Sequence, residues 1–368
     1  MNFLVFGIFL IEFCSAWRCT REKARIKELF RENEELKIER DELAAGQDCS
    51  IYFDEIEEIN DENDVRLKLE NEKLRRKLED ASSTEPTPTE TETSNERLFV
   101  KFLVIPDFYD SSYLIKKDGS TSAATISAPT YDFTEYVKHA LVKGQLYIFG
   151  GASDNKKIAR LDGCRFNELS ARLNEDRGYS SEALSINSGS LALICFGYND
   201  KSCETFDGTT AATTFSATWT HYYGGLGMYR NQPATVGCFT AKHIKAETLS
   251  STGWSDLPDF PMRIYSHSIV GLDNESMLLF GGQISGQSPT GIWQLKNDQW
   301  NKIGQLAKSA SYGSAFYSGR SIYYFGYSSI QRIDLNAEEE LEKVEFIGKP
   351  PKSSFHPVLF ATTPDYCV

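Results

Sequence analysis

The chain has 368 residues, 40% of them hydrophobic and 12% aromatic, which is enough apolar content for a packed core. Its net charge of −13 is concentrated near the start: residues 17–96 hold 24 acids against 14 lysines and arginines, and with Glu12 set aside residues 97–368 carry only −2. A near-neutral body with no basic stripe excludes recognition of a phosphate backbone, so no nucleic-acid partner is expected.

Residues 1–16, MNFLVFGIFLIEFCSA, form an apolar run that ends in small residues, with Cys14 and Ala16 placed as in a signal cleavage site. A signal peptide cut after Ala16 is predicted rather than an anchor, because the run is shorter than the roughly 20 residues that span a bilayer. No later segment reads as a membrane span, so a secreted, extracellular protein is expected. In an oxidising compartment cysteines are read as disulfides before metal ligands. Removing Cys14 leaves seven, Cys19, Cys49, Cys164, Cys195, Cys203, Cys238 and Cys367, so at least one stands outside the intrachain pairs. No CxxC pair with a matching histidine pair occurs, and no metal or cofactor is expected.

A coiled-coil oligomerisation segment is predicted over residues 17–80. Between Arg21 and Leu43 there is neither glycine nor proline, and Leu29, Leu36 and Leu43 recur every seven residues with Ile26, Asn33 and Arg40 at the alternate seam positions. A second run places Leu67 and Leu74 at one seam position and Asn71 and Leu78 at the other. A solvated single helix or a local hairpin is the competing reading, since each run is short. Cys19 and Cys49 flank the first run, where parallel chains would bring equal cysteines together as interchain disulfides. The seven carboxylates from Asp54 to Asp64 lack the spacing of a calcium loop and read as a solvated face. Residues 81–96, ASSTEPTPTETETSNE, form a Thr/Pro/Glu-rich linker whose composition suits an O-glycosylated stalk.

Past the linker, period-2 apolar runs bounded by turn residues predict an all-β domain over residues 97–368. FLVIPD, LYIFGG, LALICFGY, PATVGCF, MLLFGG and IYYFGY superpose on Pro106, Gly150, Gly197, Gly237, Gly281 and Gly326, at intervals of 44, 47, 40, 44 and 45 residues. A unit of this length matches one four-stranded propeller blade. The fourth copy divides into four strands, HSIVGL, SMLLFGG, GIWQL and QWNKI. The first copy has no first strand upstream, and HPVLFAT near the end is a first strand with nothing after it. Joining them predicts six blades, the last built from residues 97–127 plus the C-terminal strand, a closure that removes exposed sheet edges.

The pattern resembles the kelch-repeat β-propeller family. Arg263 and His267-Ser268 open the fourth copy, Gly281-Gly282 form the double glycine, and Trp293 and Trp300 stand seven apart. Elsewhere the pattern is degenerate: Gly150-Gly151 repeat the pair, Tyr198, Cys238 and Tyr327 replace the second glycine, and Trp254 matches the later tryptophan. The resemblance implies a six-bladed kelch-like propeller, with Gly150, Gly151, Gly197, Gly237, Gly281, Gly282 and Gly326 as structural repeat glycines.

Kelch-like propellers include binding modules and a few enzymes. No Asp-box turn, nucleophile elbow, P-loop or HExxH occurs, and no catalytic residue is assigned; the histidines read as structural. The connections from the fourth strand of one blade to the first strand of the next lie on one face and carry Arg177, Tyr179, Trp219, His221, Tyr222, Arg263, Tyr265, His267 and Tyr312, residue types that dominate protein interfaces. Packing between blades competes for the same residues. Cys164, Cys195, Cys203 and Cys238 are disulfide candidates, either as the local pair Cys195 with Cys203 or across adjacent blades as Cys164 with Cys195 and Cys203 with Cys238, and Cys367 is left unassigned. Asn274-Glu275-Ser276 is a sequon in a predicted blade turn. The expectation is a secreted, non-catalytic protein- or glycan-binding scaffold, an oligomeric matrix component held together by its coil. An extracellular propeller enzyme of glycan-active or copper-oxidase type is the alternative.

Overall fold

The computed structural model describes residues 101–198, 200–240, 244–362 and 366–368. The expected signal peptide, coiled coil, linker and interchain cysteines Cys19 and Cys49 lie outside these residues. The described chain is a six-bladed β-propeller built of four-stranded antiparallel sheets. In chain order the first blade holds β4 (Lys138–Val142), β5 (Gln145–Phe149), β6 (Lys157–Asp162) and β7 (Arg165–Arg172). The second holds β8 (Glu182–Ile186), β9 (Leu191–Gly197), β10 (Asp200–Phe206) and β11 (Ala211–Thr214). The third holds β12 (Gly225–Tyr229), β13 (Gln232–Val236), β14 (Ala246–Ser250) and β15 (Gly253–Leu257), and the fourth β16 (Tyr265–Gly271), β17 (Met277–Gln283), β18 (Gly291–Lys296) and β19 (Gln299–Gln305). The fifth holds β20 (Ser314–Ser318), β21 (Ser321–Phe325), β22 (Ile330–Leu335) and β23 (Leu341–Gly348).

The sixth blade closes the ring as the repeat predicts. β24 (Val358–Thr362) supplies its first strand and β1 (Lys101–Ile105), β2 (Tyr113–Ile115) and β3 (Thr121–Ala123) the rest. β24 runs antiparallel to β1 in unbroken register from Lys101 opposite Thr362 to Ile105 opposite Val358. Among the described residues no helix is long and apolar enough to cross a membrane.

Except in β13, which carries the buried Thr235, the second strand of each blade contains a continuous apolar run because its two faces pack against two different neighbours. In β17, Leu278 and Phe280 join Ile322, Tyr324 and Ile333 of the fifth blade, while Met277 and Leu279 join Tyr229, Ala234 and Val236 of the third. The same division by parity recurs in β1, where Leu103 and Ile105 face the first blade and Phe102 and Val104 the fifth. Each junction between neighbouring blades thus has its own apolar cluster, and the period of two in the strand is what links them into a ring. Fourth strands pair with one strand only, and beyond the buried Phe166 β7 alternates between half-buried and exposed residues.

The repeat glycines serve close approach. Gly150 has φ +62°, and a Cβ there would lie 1.8 Å from the Arg177 carbonyl oxygen of the next inter-blade loop. Gly281, at φ +70°, would meet the Tyr324 hydroxyl at 2.2 Å. Gly151, Gly237 and Gly282 are also left-handed, whereas Gly197 and Gly326 are not; Phe196, at φ 68°, takes the left-handed turn at the end of β9.

The disulfides differ from the expected set. Cys195 pairs with Cys203 across β9 and β10, the local option. Cys164, in the turn between β6 and β7, pairs with Cys367, so neither inter-blade pairing forms. Cys238 is buried and belongs to neither bridge; its Sγ lies 3.8 Å from Thr220 Oγ1 and 3.7 Å from Thr240 Oγ1. The Cys164–Cys367 bond ties the residues after the closing strand to the neighbouring blade.

Candidate functional site

Each loop between a fourth and a first strand meets the loop between second and third strands of a neighbouring blade, and together they form one face. Gly151 N donates to Arg177 O at 3.1 Å, Phe239 N to Tyr222 O at 2.7 Å, Cys238 N to Ile264 O at 3.1 Å and Tyr327 N to Ser311 O at 3.2 Å. A backbone chain also runs from blade to blade: His356 N donates to Tyr312 O at 2.7 Å, Tyr312 N to Ser266 O at 3.0 Å and Ser266 N to Tyr223 O at 2.7 Å. Tyr223, Ser266, Tyr312 and His356 are all left-handed, as is Tyr136 in the first blade. This repeated kink lies where the chain passes from the loop into the first strand of every blade but the second.

The candidate binding residues divide into those inside and those outside. Arg177 is fully buried. Its Nε donates to Glu204 Oε1 at 3.1 Å, and its Nη1 to Phe196 O at 2.7 Å and Asp200 Oδ2 at 2.8 Å. His221 is equally buried, with Nδ1 2.9 Å from Gly237 O and Nε2 3.0 Å from Glu247 Oε2. Burial alone would raise the Glu247 carboxyl, but hydrogen bonds from His221, Trp219 N and Thr218 N outweigh it and hold the group below the usual carboxylate range. His267 fills the gap between the third and fourth blades, where a Cβ on Gly225 would come within 2.7 Å of its Nε2. Burial, with nearby His221, pushes its pKa down to about 3, so the ring is neutral. Arg263 Nη2 donates to Phe239 O, and the Trp219 indole donates to Asp256 Oδ1 at 3.1 Å.

The tyrosines make one connected array in which Tyr265 is buried, Tyr136, Tyr222, Tyr223 and Tyr312 are half-buried and others reach the surface. Ring centroids are 4.6 Å apart for Tyr136 and Tyr179, 5.9 Å for Tyr136 and Phe355, 5.1 Å for Phe355 and Tyr312, and 6.5 Å for Tyr312 and Tyr223. From Tyr223 the array continues to Tyr222 at 4.8 Å and Tyr198 at a further 5.3 Å. Phe239 joins Tyr265 at 4.8 Å, and Tyr327 joins Phe355 at 4.9 Å. Burial, and then the hydroxyls of Tyr222, Tyr136 and Tyr312, push the Tyr223 pKa up, which marks how closely these side chains converge from different blades. Tyr179, Tyr198, Phe239 and Tyr327 are exposed, Tyr198 by 75%.

Of the nine candidates, Tyr179, Tyr222, Tyr265 and Tyr312 belong to this array. Sequence reasoning missed Tyr136, Tyr198, Tyr223, Phe239, Tyr327 and Phe355. A signal was present: Tyr136, Tyr179, Tyr222, Tyr265, Tyr312 and Phe355, one at each passage between blades, with Tyr265 the first residue of β16, recur at intervals of 43, 43, 43, 47 and 43 residues. Asp107, also missed, accepts from Phe355 N at 3.0 Å. Its carboxyl is pushed up to about 6 by burial, against the Phe355 hydrogen bond and with Glu135 adding to the rise. Among the described residues no cluster of three or more histidines, cysteines or carboxylates is arranged to hold a metal ion. Asn274 lies on the opposite face, in the turn between β16 and β17, with its Oδ1 accepting from Ser276 Oγ at 2.6 Å and its Nδ2 3.2 Å from Glu338 O.

These features define a six-bladed propeller with an aromatic loop face. Among solved structures it is similar to that of YjhT, with a TM-score of 0.53 and 14% sequence identity over 64% of this chain and 91% of that chain, a likeness of fold. No protein-family profile and no curated protein sequence matches the chain.

Proposed function

We propose that the chain is a secreted, non-catalytic binding scaffold of the kelch type, an oligomeric component of the extracellular matrix that presents several propeller faces to protein or glycan ligands. The observation that carries this reading is the aromatic array on the loop face. Exposed rings at Tyr179, Tyr198, Phe239 and Tyr327 add nothing to the inter-blade clusters, and a contiguous exposed aromatic surface is the usual mark of a binding site. Two disulfides among the described residues support an oxidising compartment. A coil over residues 17–80 would join weak faces into an avid multimer, and a glycan on Asn274 would leave the loop face open.

The test is binding of the full chain to arrays of extracellular proteins and glycans, beside a Tyr198→Ala, Phe239→Ala, Tyr327→Ala variant and a Tyr317→Phe control on the opposite face. Loss of capture in the triple variant only is expected. A ligand that both variants capture as the wild type does refutes the assignment of this face. Solution mass with and without reductant, compared with a chain beginning at Asn95, tests the stem: an oligomer made only by the long form, covalent without reductant, is expected.

A further inference from the structure

One part of the loop face is concave and charged. The loop between β7 and β8 and the turn between β9 and β10 enclose a cleft of about 390 Å³, walled by Tyr179, Tyr198 and Tyr222 and edged by Glu175, Asp176 and Asp200. The Tyr198 and Tyr222 rings stand at 89° to each other, so the cleft is bounded by both an aromatic face and an aromatic edge. Tyr198 and Tyr179 are 75% and 49% exposed, which leaves their faces available to a ligand.

The charge around these rings is one-sided. Arg177, beneath the cleft, is shared between Asp200 at 2.8 Å and the buried Glu204 at 3.1 Å, so one guanidinium answers two carboxylates. Burial would raise Asp200, but hydrogen bonds from Ser202 and the Arg177 charge hold it below the ordinary range, and it stays ionised at neutral pH. Lys156 donates to Asn174 O at 2.7 Å and stands 3.9 Å from Asp176. Glu175 and Asp176 are exposed. Among the described residues, three carboxylates therefore line the cleft and no lysine or arginine does, while Arg177 and Lys156 beside it are already engaged.

Tyrosine faces and uncompensated carboxylates attract the same kind of group. A ring face carries negative potential that draws an ammonium or guanidinium, and nearby carboxylates add charge-assisted hydrogen bonds. A phosphate or an acidic sugar would meet repulsion from the same carboxylates. We propose that the cleft formed by Tyr179, Tyr198, Tyr222, Glu175, Asp176 and Asp200 receives a lysine or arginine side chain from a basic segment of a partner protein. This deepens the binding reading above and rests on it.

The probe is an acetylated, amidated Gly-Lys-Gly-Arg-Gly peptide, titrated into the full chain and followed by peptide proton NMR, beside a Gly-Glu-Gly-Glu-Gly peptide and maltohexaose. Binding of the basic peptide alone is expected, weakening as salt rises. Tyr198→Ala should weaken it about fivefold, and a Glu175→Gln, Asp176→Asn variant by a similar factor. Urea midpoints of both variants should match the wild type. Absence of binding at millimolar peptide overturns the proposal, as does binding indifferent to both variants, which would place the peptide on acidic surface elsewhere. Binding of maltohexaose that Tyr198→Ala abolishes, with none of the basic peptide, overturns the cationic ligand and leaves the loop face standing as a binding surface.

Discussion

Replacing Cys164 and Cys367 together by alanine should destabilise the propeller more than replacing Cys195 and Cys203. The two bridges differ chiefly in what they close: the first joins residues 203 apart, the second residues 8 apart. In the chain-entropy account the unfolded ensemble loses about 5.4 kcal/mol of freedom to the long loop and about 2.5 kcal/mol to the short one, a difference of about 3 kcal/mol. Cys367 also lies in the apolar cluster between the sixth and first blades with Leu103, Ile105 and Val358, so its loss loosens the junction where the ring is sealed. The assay is equilibrium urea unfolding of wild type and both double variants, with midpoint and slope fitted separately, and of wild type with reductant. The long-loop variant should lose several kcal/mol, and reduction of the wild type should reproduce the combined effect. The β24–β1 register should survive, so the native baseline should not change. Equal losses for the two variants, or a larger loss for Cys195→Ala, Cys203→Ala, would refute the argument.

Arg177→Ala should cost about 3–5 kcal/mol in urea unfolding, because it leaves buried Glu204 without its partner cation. Glu204→Gln combined with Arg177→Met should recover part of that loss. Asp107 has its folded pKa raised from 3.8 to about 6, so the stability it contributes is complete below about pH 4 and is lost as pH rises through about 6; Asp107→Asn should flatten that part of the stability–pH curve. Glu247 has the opposite sign: its folded pKa is lowered, its contribution is present above the ordinary carboxylate range and is lost as pH falls, and Glu247→Gln should reduce acid sensitivity while lowering stability at neutral pH.

The ring was legible because its strongest requirement is local. A second strand packed on both faces is apolar at nearly every buried position, with Thr235 of β13 the exception, and a chain that passes a neighbour's backbone at Gly150 or Gly281 cannot carry a Cβ there. Both demands leave marks at a fixed interval, and the unmatched half-blades at the two ends of the array specify the closure. The Cys164–Cys367 bridge left no such mark, since Cys367 lies beyond the last strand and its neighbour is determined only by closing the ring. Nor did residue type separate Arg177 from Tyr179. They are two residues apart in one loop, yet one is fully buried and the other 49% exposed, on a turn closed by Ser181 N donating to Gly178 O at 3.1 Å.

The same inter-blade loops explain why strong interface residue types are buried beneath a binding face. On the third strand of the second, third and fifth blades stand Glu204, Glu247 and Gln331, opposite Ile194, Thr235 and Tyr324 of their second strands. The corresponding position in the other blades, on the side of the preceding blade, is Ala159, Trp293 or Tyr113. Each polar side chain accepts from the backbone of the preceding loop: Glu204 from Asn174 N at 2.8 Å, Glu247 from Thr218 N at 2.9 Å, and Gln331 from Lys308 N at 2.9 Å. These are the loops that carry Tyr179, Tyr222 and Tyr312. A loop that must hold exposed rings cannot be anchored by burying those rings, so its anchor has to be polar and backbone-directed. Arg177 and His221 then neutralise or satisfy the carboxylates that this arrangement buries. The buried charges are thus a consequence of keeping the tyrosines outside, and substituting Glu204 or Glu247 should disturb the geometry of the aromatic face even though neither residue reaches it.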